Sequence, residues 1–181
     1  MVSSHDTSYL DRDDPVSMVL SERKHQREMC EGLELLADQL ADHADQRLCS
    51  MLLQFLRNEL PVHHRDEEAV FDLLRGREGD DSIVTRWIEQ AVLEHRRHID
   101  YALELVEPLS QLAADGRLTH IEALGYMLRC AFESMRRHLD WEDITLFSGF
   151  VPLVGKNESQ ILAAKLARNH SLSAPYLRTI D

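Results

Sequence analysis

His63-His64-Arg65-Asp66-Glu67-Glu68-Ala69-Val70-Phe71 is the stretch of the 181-residue sequence that decides the fold. His63 and Glu67 are four residues apart, so a helix places the imidazole and the carboxylate on one face. Both lie within roughly 20° of the centre of the apolar stripe of that helix, whereas His64 and Glu68 lie about 80° or more from it. We therefore predict that His63 and Glu67 point into a helical core, and we interpret His64 as a surface neighbour.

The same spacing recurs at His138 and Glu142, and a helical patch between the two copies carries His95 and His98. By the same angular count, His138 and Glu142 lie within about 50° of the centre of their stripe. His95 and His98 lie about 30° from the centre of theirs, on opposite sides. Three helices are thus predicted to direct imidazoles and carboxylates into one core.

Such a core needs a source of positive charge, because burying an unpaired carboxylate costs several kcal/mol. Pairing with imidazolium groups would explain a single His-xxx-Glu motif. The coincidence of three inward-facing helices favours a metal site in the core of a bundle. Mixed imidazole and carboxylate ligands suit iron, zinc or manganese better than calcium or copper(I).

The composition predicts an all-α protein of one domain. Hydrophobic residues make up 44% of the chain and aromatic residues 6%, and seven glycines and five prolines leave long uninterrupted stretches. Leu, Ala, Glu and Arg dominate these stretches, which favours helices. The predicted architecture is an up-down-up-down four-helix bundle with an additional short C-terminal helix. Pro61 falls inside the second helix and predicts a kink just before His63.

Three segments are expected along the chain. We predict a flexible arm at residues 1–13, the bundle at 14–150, and a short helix with a tail at 151–181. Asp14 and Pro15 provide an N-cap followed by a proline in the first turn, which marks the start of the first helix.

The formal net charge of −12 disfavours nucleic acid and anionic membrane surfaces as partners, since both would repel the chain. The first residues lack the basic and apolar regions of a signal peptide, and there is no apolar run near 18 residues. We therefore expect a cytoplasmic protein. The oligomeric state is left open.

These motifs resemble the hemerythrin-like (HHE cation-binding) family, whose members are four-helix bundles with a non-haem di-iron centre. His63-xxx-Glu67 matches the motif of the second helix, His138-xxx-Glu142 that of the fourth, and Glu94-His95 the start of the third. The resemblance covers roughly residues 15–150. It implies that Glu67 and Glu142 bridge two irons, that histidines are terminal ligands, and that the ligand is dioxygen or a related molecule such as nitric oxide.

Two positions depart from the family pattern. Ile99 occupies the place of a second histidine in the third helix, and His98 comes one residue early. In the first helix the family position falls at Glu22-Arg23, with His25 as the candidate ligand and Glu22 as its substitute. The site could therefore hold one metal, or a metal other than iron. The predicted ligands are His25, His63, Glu67, His95, His98, His138 and Glu142.

Three functions are compatible with these residues. The first is a bundle that binds or senses dioxygen or nitric oxide. The second is a metal-dependent peroxidase or reductase acting on reactive oxygen or nitrogen species, for which an open coordination position would be useful. The third is a regulatory bundle with an incomplete metal site. Whether the protein is an enzyme is left open, and no catalytic residue is assigned.

Overall fold

Six α-helices form the described part of the chain, which a computed structural model covers at residues 14–40, 44–117, 120–148 and 154–172. They are α1 (Pro15–Gln39), α2 (Gln46–Gln54), α3 (Leu60–Glu78), α4 (Ile83–Asp115), α5 (Ile121–Glu142) and α6 (Lys156–Ser171). These residues contain no β-strand, so the all-α prediction is confirmed. The predicted arm at residues 1–13 lies outside the described residues.

Polar contacts between neighbouring helices show the antiparallel order of the bundle. Between α1 and α5, residue numbers rise on one helix as they fall on the other, in the pairs Arg23–Asp143, Glu34–Arg136 and Asp38–Arg129. The same rule holds between α4 and the segment that leads into α3, in the pairs Arg57–Ser110 and Glu68–His95, and between α4 and α5, in the pairs His95–Glu142 and His98–Ser134. The predicted up-down-up-down bundle is therefore confirmed.

Two π-helical turns flank the residues that the sequence singled out. The first, Phe55–Glu59, joins α2 to α3, and the backbone N–H of Leu60 donates to the carbonyl of Phe55, five residues back. Pro61 lacks an N–H, and its ring would press on the carbonyl four residues earlier in a regular α-helix, which accounts for an irregular turn here. The second turn, Asp143–Phe147, directly follows Glu142.

Helix α6 lies alongside α3, with further contacts to α1. Its Leu162 and Leu166 are buried and belong to the apolar core. The end of α6 is tied to α3 by polar contacts, since Asn169 Nδ2 donates to Asp66 Oδ1 at 2.7 Å and His170 Nε2 lies 2.7 Å from Asp66 Oδ2. Among the described residues, no helix is both long and apolar enough to cross a lipid bilayer.

A layer of buried polar side chains separates two apolar clusters of the core. One cluster includes Leu33, Leu56 and Leu105, and the other includes Val19, Phe71, Ile88 and Leu146. On α1, α3, α4 and α5, buried polar residues lie between the segment that contributes to one cluster and the segment that contributes to the other. We call them the polar layer, and its members are Arg23, Gln26, His63, His64, Asp66, Glu67, His95, His98, Ser134, His138 and Glu142.

Candidate metal centre

Four side chains in the polar layer bring metal-ligand atoms together. Glu67 of α3, His95 of α4, and His138 and Glu142 of α5 each offer one donor atom, and these atoms all lie within 4.8 Å of one another. Two ligands that are each about 2.0–2.2 Å from one ion can be at most about 4.4 Å apart. Small side-chain adjustments would therefore bring all four donors onto a single ion.

The donor atoms of this four-residue cluster are buried and lack hydrogen bonds. Among the described residues, no hydrogen-bond partner exists for Glu67 Oε2, His95 Nε2, His138 Nε2 or Glu142 Oε1. His95 Nε2 lies 3.2 Å from Glu67 Oε2, and His138 Nε2 lies 3.2 Å from Glu142 Oε1, but neither pair has hydrogen-bond geometry. A buried polar atom without a partner costs about 1–3 kcal/mol, so the arrangement favours a cation among them.

Glu68 orients the His95 ring toward the cluster. His95 Nδ1 and Glu68 Oε1 are 3.1 Å apart, and a proton on Nδ1 can be donated to this carboxylate. When Nε2 carries no proton, that arrangement directs its lone pair at Glu67 and Glu142, as a metal ligand requires. The Phe71 ring stacks against the same imidazole, with the ring centroids 5.9 Å apart.

The electrostatics of the cluster keep its carboxylates charged. Burial and the charge of Glu67 would raise the pKa of Glu142, but the nearby imidazoles of His138 and His95 outweigh these effects and lower it to about 2. Burial also opposes ionisation of Glu67, and the charges of His63 and Arg23 hold its pKa well below the usual range. For His95 burial would lower the pKa, and Glu142, Glu67 and Glu68 raise it well above the usual value.

Arg23 of α1 approaches both glutamates from the side opposite His95 and His138. Its Nη1 donates to Glu67 Oε1 and, at 2.6 Å, to Glu142 Oε2. Its Nη2 donates to the carbonyl of Leu139 at 3.1 Å and to Asp143 Oδ1 at 2.7 Å. Arg23 is only 3% exposed, so a guanidinium ion is part of the polar layer.

Sequence reasoning did not place Arg23 in the core, although a signal for it exists. Buried positions of α1 follow each other at steps of four and three residues, at Val19, Arg23, Gln26, Cys30 and Leu33. This spacing is that of one inward face of a bundle helix. An angle count from a single average stripe centre puts Arg23 about 80° from that centre, because such a count treats the wide buried face of α1 as a narrow stripe.

His25, predicted as the ligand from the first helix, is not brought to the centre. It is exposed, and its Nε2 lies 2.9 Å from Glu59 Oε2 on the surface. Arg23 lies two residues earlier, and α1 turns by about 200° over that distance, so the two side chains leave the helix in nearly opposite directions. The buried side of α1 is the side of Arg23.

His63 and His98 are buried in the polar layer but lie beside the four-residue cluster. His63 Nε2 is 3.3 Å from Glu67 Oε1, the oxygen that also accepts from Arg23, and its Nδ1 is 3.3 Å from Glu22 Oε2. Burial would lower the pKa of His63, but Glu67 and Glu22 raise it to about 9. His98 Nε2 lies 3.4 Å from Ser134 Oγ, and burial lowers the pKa of His98 to about 3.

The interpretation of His64 as a surface residue is wrong. Its ring is buried and stacks on His95, with centroids 4.0 Å apart and planes 4° apart. The reason is that α3 packs against α1, α4 and α6, so it is enclosed on three sides and one apolar stripe does not describe its buried surface. Burial and the neighbouring His95 lower the pKa of His64 well below its usual value.

Two surface clefts lead from solvent toward the polar layer. A cleft of about 500 Å³ between α4 and α5 is lined by Tyr101, Ser134, His138 and Trp141, among others. A second cleft, of about 310 Å³, reaches His63 past Phe55 and Val62. A molecule of a few atoms can therefore approach the layer from two sides.

The fold and the cluster together define a metal-binding helical bundle. The model of the hemerythrin HHE cation binding domain matches residues 14–148, and the chain belongs to this family. The resemblance seen in the sequence motifs is thereby confirmed. Neither the curated proteins nor the solved structures include a match to the chain.

Proposed function

We propose that this protein binds iron in the four-residue cluster of Glu67, His95, His138 and Glu142 and that the loaded centre binds dioxygen or a related molecule such as nitric oxide. The observation that carries the proposal is the convergence of four buried donor atoms without hydrogen bonds. Two imidazoles and two carboxylates suit iron, with manganese and zinc as alternatives. Bound iron would supply the redox-active, open coordination position that such small ligands require.

The residues around the cluster fit a centre that admits small molecules and limits bulk water. Phe71 covers one face of His95, and Phe147 lies against the guanidinium of Arg23, 3.8 Å from its central carbon. The cleft beside His138 supplies an approach route. Glu68 and Arg23 hold His95 and the two glutamates in place when a ligand arrives.

Metal analysis of the purified protein tests the proposal. After anaerobic loading with Fe(II) and desalting, the wild type is expected to retain iron, and nitric oxide is expected to change its visible absorption. The double variant His95→Ala/His138→Ala loses half of the donors, so we expect its iron affinity to fall on the order of 100-fold or more.

His25→Ala is the matched control, because His25 is an exposed histidine outside the cluster, and this variant should retain iron like the wild type. A folded wild type that retains no iron, manganese or zinc would overturn the proposal and favour a regulatory bundle without metal. Equal iron retention by the double variant would show that the metal binds elsewhere.

A second function, a peroxidase or reductase of reactive oxygen or nitrogen species, is favoured by the aromatic residues near His138. The Trp141 ring lies 6.5 Å from that of His138, and Tyr101 lines the same cleft. Oxidisable rings between a redox-active centre and solvent suit electron transfer. Iron-loaded protein supplied with a reductant should then consume hydrogen peroxide or nitric oxide over many turnovers, whereas a binding protein takes up one stoichiometric amount and stops.

A further inference from the structure

We infer that the guanidinium of Arg23 takes the place of a second metal ion, so that this chain holds one ion where the family resemblance implies two. The inference rests on the proposed metal binding and concerns the number of ions. Its basis is the position of Arg23 relative to the two carboxylates that would bridge an ion pair.

In each glutamate, one carboxylate oxygen contacts Arg23 and the other faces His95 or His138. Glu67 Oε1 and Glu142 Oε2 accept from Arg23 Nη1. The other two oxygens face the imidazoles, with Glu67 Oε2 at 3.2 Å from His95 Nε2 and Glu142 Oε1 at 3.2 Å from His138 Nε2. A carboxylate that bridges two ions likewise gives one oxygen to each, so Nη1 lies where a second ion would lie.

The guanidinium cannot act as a ligand for that second ion. It has five N–H donors and no acceptor, and it stays protonated in proteins. A fixed positive charge between the two carboxylates both satisfies them and repels a second cation at close range.

Arg23 is also held in this position by contacts outside the glutamates. Its Nη2 is bound to the Leu139 carbonyl and to Asp143, and its guanidinium stacks on Phe147. Swinging the side chain out of the layer would break these contacts and leave buried carboxylate oxygens without a donor. A second ion would have to displace all of these contacts at once.

Potential ligands for a second ion are nevertheless present on the side of Arg23. His63 Nε2 lies 3.3 Å from Glu67 Oε1, and Asp143 Oδ1 lies 2.7 Å from Arg23 Nη2. Together with Glu67 Oε1 and Glu142 Oε2, which accept from Arg23, these groups lie around the guanidinium. A neutral ligand in place of Arg23 would therefore complete a second site.

The test is the metal-to-protein ratio of Arg23→His, measured by elemental analysis after anaerobic Fe(II) loading, with folding checked by circular dichroism. We expect one iron per chain in the wild type and two in R23H. Electron paramagnetic resonance gives a second readout, since oxidation should yield an isolated ferric signal in the wild type and a magnetically coupled, weakened signal in R23H. Adding His63→Ala to R23H should return the ratio to one.

Arg27→His is the matched control, because Arg27 lies one turn further along α1 and also binds Asp143 but does not contact the glutamates. It should keep one iron. If R23H does not fold, Arg23→Gln removes the charge with a smaller change in shape and should also exceed one iron. Two irons in the wild type, or one in a folded neutral variant at position 23, would overturn the inference, whereas a wild type without metal would overturn the proposed function instead.

Discussion

Arg23→Met is expected to lower the free energy of unfolding of the metal-free protein by about 3–5 kcal/mol, the usual cost of removing one partner from a buried ion pair. Methionine fills much of the same space but leaves Glu67 and Glu142 without the donor that they share. Both glutamates are fully buried, so water cannot replace the guanidinium without opening the bundle. Denaturant unfolding in the presence of a chelator measures the effect.

Arg136→Met is the control for this prediction. Arg136 also crosses from α5 to α1, where its Nη2 donates to Glu34 at 2.5 Å, but this pair is partly exposed. We expect a loss of about 0–1 kcal/mol, as for other surface ion pairs. Equal losses of unfolding free energy in the two variants would mean that the ion pairs of Arg23 are as hydrated as the surface pair of Arg136. That result would contradict the role of Arg23 as the buried partner of Glu67 and Glu142.

Saturation of the centre with metal is expected to raise the thermal unfolding midpoint of the wild type by about 8–16 °C. An ion present at about 1,000 times its dissociation constant stabilises the folded state by about 4 kcal/mol, provided that it does not bind the unfolded chain. Each kcal/mol shifts the midpoint of a domain of this size by about 2–4 °C. Thermal unfolding followed by circular dichroism, with and without added Fe(II) or Mn(II), measures the shift.

The double variant His95→Ala/His138→Ala should lose this shift, and His25→Ala should keep it. Because the four donors come from three helices, they meet only in the folded chain, whereas an ion held by neighbouring residues of one segment could also bind the unfolded chain and would then stabilise little. A midpoint that stays unchanged in the wild type at saturating metal would therefore contradict the assignment of the cluster, even if metal binds to the protein.

The helices and most of the cluster could be predicted from the sequence, because local patterns determine them. The four-residue spacing placed Glu67, His138 and Glu142 inside, and the apolar face of α4 placed His95 there. These predictions needed only the period of a helix and the requirement that a bundle has one core. The same reasoning predicted that His63 and His98 are buried, and both are buried beside the cluster.

Arg23 and His64 could not be placed in this way, because contacts distant in the sequence determine their burial. Arginine usually lies at the surface. In this chain its partners are Glu67 and Glu142, 44 and 119 residues away in the sequence. His64 is enclosed because α4 supplies a flat imidazole for it to stack on. The π-helical turn Phe55–Glu59 also alters the helical phase just before these residues, which an ideal angle count ignores.

The polar layer affects which parts of the bundle unfold together. It divides the apolar core into two clusters, and only one of them includes α6. Cooperative units in proteins follow contiguous apolar packing, so the two ends of the bundle would open as separate units wherever the layer is weak. Arg23 and a bound ion join α1, α3, α4 and α5 at that boundary. Arg23 and the metal ligands would therefore also couple the unfolding of the two apolar clusters, so that both open together.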